Sequence, residues 1–162
     1  MVGSLDSSSI ECKAQQELLA RARGAADQAY VPYSGFPVGA AVLTTDGSIY
    51  TGCNVENASY GLTICAERVA ATGAVSSGHR EIVAVAVSAP KVPRTTPCGA
   101  CRQFLNEFRP GSTDMVIILD DRGSGERVWL DELLPQAFGP RNLDAGPPTD
   151  ASSPRQRENH GA

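Results

Sequence analysis

The chain reads Cys65-Ala66-Glu67-Arg68 and, further on, Pro97-Cys98-Gly99-Ala100-Cys101. These two stretches can hold a zinc ion through Cys65, Cys98 and Cys101, and the fourth coordination position then stays open for water. An open position is typical of catalytic zinc, because structural zinc sites are closed by four protein ligands. The spacing therefore predicts a catalytic zinc site.

Both cysteine stretches lie where a helix is predicted to begin. Helical periodicity predicts helices over residues 11–30, 65–75 and 98–108, with a further turn over 130–134. Apolar runs predict strands over residues 38–43, 49–55, 82–89 and 115–119, and an edge strand over 127–129. Helices that separate strands favour an α/β layered sheet with helices against its faces. Two helix starts that face each other across such a sheet would bring the three cysteines together.

Two arginines follow the predicted ligands closely. Helix N-termini favour thiolate, the zinc-binding form of cysteine, and three thiolates on Zn²⁺ leave a net charge of about −1. Arg68 lies at i+3 from Cys65, on the same side of the helix. We therefore predict that Arg68 offsets this charge by hydrogen-bonding to the ligand sulfurs. Arg102 is a weaker candidate, and an ordinary surface arginine is the alternative for both.

Glu67 lies two residues after Cys65, close to the predicted metal without being a ligand. A carboxylate there can take a proton from the nucleophilic water and pass it to the ring nitrogen and leaving amine of a substrate. The alternative is a glutamate that only favours the helix dipole, an effect of about 0.3–1 kcal/mol. Beside this set of thiols, the catalytic interpretation is favoured.

The pair Cys98 and Cys101, taken alone, has other interpretations. Such a pair can be a redox centre or half of a closed zinc site. A thioredoxin-like centre would follow the first strand, which is not its position here, and a closed site needs a fourth ligand. Neither histidine is a convincing one, since His79 follows a helix-ending glycine and His160 lies in the predicted tail.

Composition favours one intracellular globular domain. The 162 residues, 41% of them hydrophobic, suffice for a single core. The net charge of −4 argues against nucleic acid as a partner, and no apolar run is long enough to span a bilayer. An odd number of cysteines without a secretion signal favours the reducing cytoplasm, with Cys12 and Cys53 as bystanders. We predict a flexible N-terminus over 1–10, a domain over 11–140 and a disordered tail over 141–162.

Further segments make the chain resemble the small cytidine deaminases of the all-cysteine, homotetrameric type. Besides the cysteine stretches, they are Tyr33-Ser34-Gly35-Phe36-Pro37-Val38-Gly39-Ala40, Gly52-Cys53-Asn54-Val55-Glu56-Asn57-Ala58, and Leu133-Leu134-Pro135 with Phe138-Gly139-Pro140. The resemblance implies a three-layer sandwich, with a mixed central sheet of about five strands covered by helices, and one zinc ion per subunit. It also implies hydrolytic deamination of cytidine and 2′-deoxycytidine to uridine and 2′-deoxyuridine with release of ammonia, as in pyrimidine salvage.

The resemblance implies roles for individual residues as well. Phe36 would pack on the nucleoside, and Asn54 and Glu56, two apart on one strand face, would hydrogen-bond the ribose hydroxyls. The backbone at Ala66, with the neighbouring carboxylate, would read the pyrimidine edge. Phe138 would reach into the site of a neighbouring subunit, so a homotetramer is needed for full activity. The implied partners are a nucleoside and copies of the same chain, with neither nucleic acid nor membrane.

Three alternatives stay open at this point. A deaminase of a nucleoside antibiotic such as blasticidin S shares the zinc motif, although residues 54–57 favour ribose recognition. A nucleic-acid-editing deaminase would need a basic, aromatic-lined groove, which an acidic chain with 6% aromatic residues does not indicate. A non-catalytic, zinc-stabilised binding module would give the carboxylate of Glu67 no role.

Overall fold

The computed structural model of the protein describes residues 10, 12–111 and 113–143. The predicted flexible N-terminus lies outside these residues except for Ile10, and the predicted tail lies outside them except for residues 141–143. Those three residues belong to a short helix, so the described fold extends slightly past residue 140. Within the described residues, none of the helices combines the length and the apolar character that crossing a bilayer requires.

Strands and helices alternate along the central part of the chain. The strands are β1 (Gly39–Thr44), β2 (Ile49–Cys53), β3 (Ile82–Ser88), β4 (Val116–Asp121) and β5 (Ser124–Trp129). The helices are α1 (Cys12–Ala26), α2 (Ala66–Ser76), α3 (Gly99–Asn106), α4 (Leu130–Leu133) and α5 (Pro140–Leu143), and a 3₁₀ turn covers Tyr60–Leu62.

All five strands belong to one sheet, in the order β2-β1-β3-β4-β5. The neighbours β3 and β4 are parallel, and the other three pairs are antiparallel. The connection from β3 to β4 contains α3, because parallel neighbours need a crossover that is long enough to return to the same edge. The predicted mixed sheet of about five strands is confirmed.

Apolar layers cover both faces of this sheet. One layer packs α1 against the sheet and contains Leu18 and Leu19, while the other packs α2 and α3 against the opposite face. The central strand β3 lies between the two layers, and all seven of its residues are buried. A strand that is covered on both faces has a nearly continuous apolar sequence, which explains the composition of residues 82–88. The architecture is therefore helix, sheet, helix, as predicted.

Two glycines let the helices approach the sheet closely. A Cβ atom on Gly39 would lie 2.0 Å from the carbonyl oxygen of Ala22 in α1. A Cβ atom on Gly52 would lie 2.5 Å from the backbone nitrogen of Ala70 in α2. Since real Cβ atoms essentially never come closer than 3.0 Å, neither position accepts a side chain without displacement. Gly52 thus determines how closely the first turns of α2, which carry the first cysteine stretch, lie against the sheet.

The predicted end of the first helix is wrong. α1 ends at Ala26 and not at residue 30. The N–H of Tyr30 donates to the carbonyl of Asn54, and the carbonyl of Tyr30 accepts from the N–H of Glu56. These tertiary hydrogen bonds hold Tyr30 beside residues 54–56, while the N–H groups of Gln28 and Ala29 make turn hydrogen bonds to Ala25 and Ala26.

Two strand boundaries also differ from the prediction. β2 ends at Cys53, so Asn54 and Glu56 lie in the segment beyond the strand. β5 begins at Ser124, earlier than expected, and pairs with β4 along its whole length. Its solvent-facing polar residues hide the strand in the sequence, since an edge strand needs an apolar side chain on only one face.

Candidate metal centre

Cys65 and Cys98 occupy the N-cap positions of α2 and α3. Each has an extended backbone, with φ and ψ of −73° and 153° for Cys65 and −66° and 164° for Cys98. Neither side chain caps its own helix by a hydrogen bond, so each sulfur is available to another group. Cys101 follows within α3 and is buried. The two predicted helix starts are therefore the cap residues of the helices.

The three sulfur atoms converge. The Sγ atoms of Cys65, Cys98 and Cys101 all lie within 4.8 Å of one another, and the Sγ atoms of Cys65 and Cys98 are 3.9 Å apart. Sulfurs bound tetrahedrally at about 2.3 Å from one zinc ion would lie about 3.8 Å apart. The observed separation fits a zinc ion held by three thiolates, and the predicted convergence of the two helix starts is confirmed. The expectation that they face each other across the sheet is wrong, because α2 and α3 pack on the same face.

The local charge favours a single thiolate as long as no cation is bound. The hydrogen bond from the Cys101 thiol, followed by that from Arg68, lowers the pKa of Cys65 to about 5 in spite of burial. Donating this hydrogen bond, together with burial, raises the pKa of Cys101. A second thiolate beside the first is disfavoured by like charge, and a divalent cation would remove that penalty. The donor set therefore fits zinc in chemistry as well as in geometry.

Arg68 reaches the cluster from α2, as predicted. Its Nη2 atom lies 4.0 Å from Sγ of Cys65 and donates to the carbonyl of Thr63 at 3.2 Å. Its Nε atom is buried and has no hydrogen-bond partner among the described residues. An unpaired buried donor costs about 1–3 kcal/mol, and a thiolate sulfur is an acceptor for it. The separation of the sulfurs and the unpaired Nε–H of Arg68 both fit a site that holds more than one thiolate.

Arg102 donates hydrogen bonds to oxygen atoms and not to the sulfurs of the cysteines. Its guanidinium donates to the carbonyl of Pro97 at 2.7 Å, to the carbonyl of Leu133 at 2.9 Å and to Oγ1 of Thr96 at 3.1 Å. It thereby ties the loop before Cys98 to the end of α4. A direct role toward the sulfurs, already the weaker expectation, is not supported by this geometry.

Glu67 lies buried beside the thiol cluster. Its side chain is only 4% exposed, and burial, more than any other effect, raises the pKa of its carboxyl group. A carboxyl whose pKa is raised accepts a proton more readily than an exposed one, which suits a group that has to take up a proton and pass it on. A glutamate that served only the helix dipole would have no reason to be buried. The burial therefore favours the catalytic interpretation.

One pocket adjoins the cluster, and a second pocket adjoins the first. The first, of about 170 Å³, is lined by Cys65, Cys98 and Glu67, and its other walls are Val38, Asn54, Thr63, Ala66, Val87, Thr95 and Thr96. The second, of about 280 Å³, is lined by Tyr33, Ser34, Glu56, Tyr60 and Thr63. Because Thr63 lines both, the pockets are neighbours. Together they reach the lower end of the volume range of small-molecule sites, which is about 300–1,000 Å³.

Asn54 lines the pocket at the cluster, but its amide also supports the loop before β1. Its Oδ1 accepts from the N–H of Val38, and its Nδ2 donates to the carbonyl of Phe36, both at 2.9 Å. An amide can make about four hydrogen bonds, so one N–H and one lone pair remain. The expectation that Asn54 and Glu56 share a strand face is wrong, because both lie beyond the end of β2.

Glu56 lies in the adjoining pocket. Its Oε2 accepts from the N–H of Tyr33 at 2.9 Å and from the N–H of Ser34 at 3.2 Å. The hydroxyl of Ser34, and after it these backbone groups, hold the pKa of Glu56 below its usual range. An ionised carboxylate offers about four acceptor sites, so Glu56 keeps capacity for hydroxyl donors.

The other predicted substrate residues occupy different surroundings. Ala66 is fully buried and lines the pocket at the cluster. Phe36 is partly buried beside Asn54, but it does not line either pocket as the described residues form them. Phe138 is 59% exposed on the surface. The structure thus brings together the thiols, Glu67, Ala66 and Asn54, and leaves both phenylalanines outside the pocket of one subunit.

Sequence reasoning missed three threonines in the pocket walls. Thr63 precedes α2, and Thr95 and Thr96 precede α3. Isolated threonines in loops carry no periodicity, so only their position immediately before the cysteine stretches could have indicated a role. His79 is not placed to be a fourth zinc ligand. It lies beyond the C-terminal end of α2, an 11-residue helix about 16 Å long, whereas Cys65 is at the N-terminal end. His160 lies outside the described residues.

A metal site of three thiols, with a buried carboxyl beside it, is typical of one class of enzyme: the zinc-dependent hydrolases that deaminate nucleobases. Comparison with known proteins identifies the family within this class of enzyme. A family model described as "Cytidine and deoxycytidylate deaminase zinc-binding region" matches residues 12–118. The chain belongs to this deaminase family.

Individual relatives agree with the family assignment. A cytidine deaminase of Sporosarcina psychrophila is 48% identical over 128 residues, which cover 79% of this chain and 93% of the relative. A cytidine deaminase of Halalkalibacterium halodurans is 47% identical over 130 residues, covering 80% of this chain and 98% of the relative. The crystal structure of a cytidine deaminase from Burkholderia pseudomallei superposes with a TM-score of 0.70 at 43% identity, covering 75% of this chain and 97% of that one.

Proposed function

We propose that the protein catalyses the hydrolytic deamination of cytidine and 2′-deoxycytidine to uridine and 2′-deoxyuridine, with release of ammonia, as a step of pyrimidine salvage. The observation that carries this proposal is the buried carboxyl of Glu67 beside three converging thiols. Family membership supports it, since the relatives described above are cytidine deaminases. The reducing cytoplasm, which keeps thiols free to bind metal, is the proposed location.

Cys65, Cys98 and Cys101 are the proposed ligands of one zinc ion per subunit. Zinc in such a site supplies Lewis-acid chemistry that makes water nucleophilic near neutral pH. Arg68 contributes positive charge next to Cys65, at 4.0 Å, which offsets part of the excess negative charge of three thiolates. Its proposed role is to tune the ligand sulfurs rather than to touch the substrate.

Glu67 is the proposed proton carrier. In its burial the carboxylate lacks water to stabilise its charge, so it accepts the proton that water loses on attacking C4 of cytosine. It delivers that proton to the ring nitrogen, then takes a second proton from the hydroxyl now bonded to C4 and passes it to the leaving amine, so that ammonia departs and C4 becomes a carbonyl. Burial raises the pKa of Glu67, which makes its carboxylate a better proton acceptor than an exposed one and supports this role.

The nucleoside is proposed to lie across the two adjoining pockets. The backbone at Ala66, in the wall of the pocket at the thiols, would read the pyrimidine edge together with Glu67. Asn54 has an N–H and a lone pair to spare, and the carboxylate of Glu56 has further acceptor sites, so both can bind ribose hydroxyls. Phe36 would pack on the nucleoside from the loop that Asn54 supports.

Self-association as a homotetramer is proposed to complete this site. Phe138, at 59% exposure, would enter the pocket of a neighbouring subunit. Other large apolar side chains are also exposed, among them Tyr60 at 76% and Leu62 at 65%. The ring of Tyr60 lies 5.9 Å from that of Tyr33, which is also exposed, and contiguous apolar exposure is typical of surfaces that bind another protein. A molar mass in solution equal to that of one chain would remove Phe138 from the site.

The test is deamination of free cytidine, followed by ultraviolet absorbance, in the parent protein and in Glu67→Gln at equal zinc content. The parent should convert cytidine, and Glu67→Gln should lose activity by at least about 100-fold, since general acid–base groups contribute that much or more. Glu17→Gln is the matched control, because it changes an exposed glutamate of α1. A zinc-loaded parent that leaves cytidine unchanged but acts on a blasticidin-like nucleoside would overturn the proposed substrate.

A further inference from the structure

The helix α3 carries a cluster cysteine on one face and holds the C-terminal segment with another. An α-helix turns by about 100° per residue, so Gln103 and Asn106 lie about 200° and about 140° around the axis from Cys101. Both side chains donate to one acceptor, the carbonyl oxygen of Phe138. The distance is 2.8 Å from Nε2 of Gln103 and 3.0 Å from Nδ2 of Asn106.

The geometry around this carbonyl is close and specific. Asn106 is only 6% exposed; its Nδ2 donates to this carbonyl, while its Oδ1 is buried without a hydrogen-bond partner among the described residues. A Cβ atom on Gly139 would lie 2.8 Å from Nδ2 of Asn106, so the residue after Phe138 must be small for the amide to reach its acceptor. Gly139 in turn exchanges hydrogen bonds with Asn142, at 2.8 and 2.9 Å.

The backbone of Phe138 is therefore fixed while its ring is 59% exposed. The fold of one subunit does not bury this ring, so holding its backbone does not serve the core of that subunit. An exposed apolar ring on a held backbone suits a contact with another subunit. Arg102 strengthens the same attachment, since it binds the carbonyl of Leu133 a few residues earlier.

We propose that Gln103 and Asn106 are positioning residues, which fix Phe138 on the metal-carrying helix so that its ring enters a neighbouring active site in one orientation. This inference rests on the proposed function, in which Phe138 completes the site of a neighbour. Through these two residues, the helix that holds one subunit's metal ligand sets the shape of another subunit's substrate pocket. If the two residues served only to attach the C-terminal segment, their loss would lower stability without a selective effect on substrate affinity.

The first test is Gln103→Glu, which keeps the shape of the side chain and replaces the donor by an acceptor that repels the carbonyl. Gln103 is exposed, so the variant should fold. We expect KM for cytidine to rise about fivefold or more, as for the loss of a typical hydrogen bond, with kcat and zinc content unchanged. Gln16→Glu, on the exposed side of α1, is the matched control for the change in charge. An unchanged KM in Gln103→Glu would overturn the proposal.

The second test asks in which subunit Gln103 acts. Oligomers are formed from Gln103→Glu chains, which have an intact Glu67, and an excess of Glu67→Gln chains, which have an intact Gln103. Only the active sites of the Gln103→Glu chains then have a functional Glu67. Most of these sites receive Phe138 from a Glu67→Gln chain, in which Gln103 still holds the carbonyl of Phe138. We expect the parental KM to return in these mixtures. If KM stays raised, Gln103 acts within its own subunit and the proposal is overturned.

A third measurement does not depend on activity. Amide hydrogen exchange over residues 136–142 should be faster in Gln103→Glu than in the parent, while exchange in α3 is unchanged. Exchange that is no faster would show that the attachment does not hold the segment, and the proposal would then be overturned even if the enzyme acts on cytidine. A parent without cytidine deaminase activity would overturn the proposed function instead, so the two failures are distinguishable.

Discussion

Replacing Gly52 by alanine should weaken zinc binding without changing any residue at the zinc site. The added Cβ atom would lie 2.5 Å from the backbone nitrogen of Ala70 and 2.7 Å from the carbonyl oxygen of Ala66. Ordinary contact begins at 3.4 Å, so the two backbones must separate by about 0.9 Å. Both neighbours are main-chain atoms of α2, which cannot rotate away, and the helix itself has to move.

This displacement is large for a metal site. Zinc–ligand distances vary by only about 0.2 Å between well-formed sites, whereas Cys65 is the N-cap of the helix that moves and the other two cysteines belong to α3. We expect Gly52→Ala to lower the free energy of unfolding by about 1–3 kcal/mol, the usual cost of overpacking. Zinc affinity should fall by at least about tenfold, comparable to the loss of a group that orients a ligand.

The assay is competition for zinc with a chelator, together with denaturant unfolding of the zinc-loaded and zinc-free protein. Gly73→Ala is the matched control, because it adds a Cβ to the same helix at 3.9 Å from Cδ1 of Tyr50. It should bind zinc normally and unfold at a higher denaturant concentration, since alanine is favoured over glycine within a helix by about 0.5–1 kcal/mol. Equal zinc affinity in Gly52→Ala and Gly73→Ala would refute the reasoning.

Two further predictions concern charge. Arg68→Gln should lower zinc affinity by about 10–100-fold, measured by the same competition, because the guanidinium beside Cys65 then no longer favours thiolate; an unchanged affinity would contradict its assigned role. The second concerns Asp120, whose pKa is lowered by the hydrogen bond from Arg23 and then by that from Ser88. This stabilisation is complete above the unfolded pKa of about 3.9 and disappears as pH falls through the lower folded pKa. Asp120→Asn should therefore be less stable than the parent at neutral pH, and its stability should fall less than that of the parent on acidification. Denaturant midpoints measured from neutral pH down through the folded pKa of Asp120 test this. Parallel pH profiles for parent and variant would argue against the ion pair.

The sequence predicted the parts of the fold that are encoded locally. Apolar runs located the central strands, and the cysteine stretches located the starts of α2 and α3 to within one residue. The convergence of the thiols did not follow from spacing alone: it followed from the predicted layered fold, and the structure confirms it. The roles of the individual site residues stay predictions until the variants are measured.

The errors arose where tertiary hydrogen bonds override local preference. Residues 27–30 have a helical pattern, but Tyr30 pairs with the backbone of residues 54–56. The segment after Cys53 has a strand-like sequence, but Asn54 turns its amide toward the loop before β1. Neither partner is visible in the sequence. The attachment of Phe138 by α3 was missed for the same reason, since it joins residues 32 and 35 positions apart.

The position of β3 between the two cysteine stretches has a consequence for how folding and zinc binding are linked. Cys98 and Cys101 belong to one helical segment, whereas Cys65 is separated from Cys98 by 33 positions that include the central, fully buried strand. In the unfolded chain only Cys98 and Cys101 are close in sequence, so binding Cys65 as well costs the closure of a 33-residue loop. Placing β3 between β1 and β4 closes that loop, so zinc binding and completion of the sheet stabilise each other.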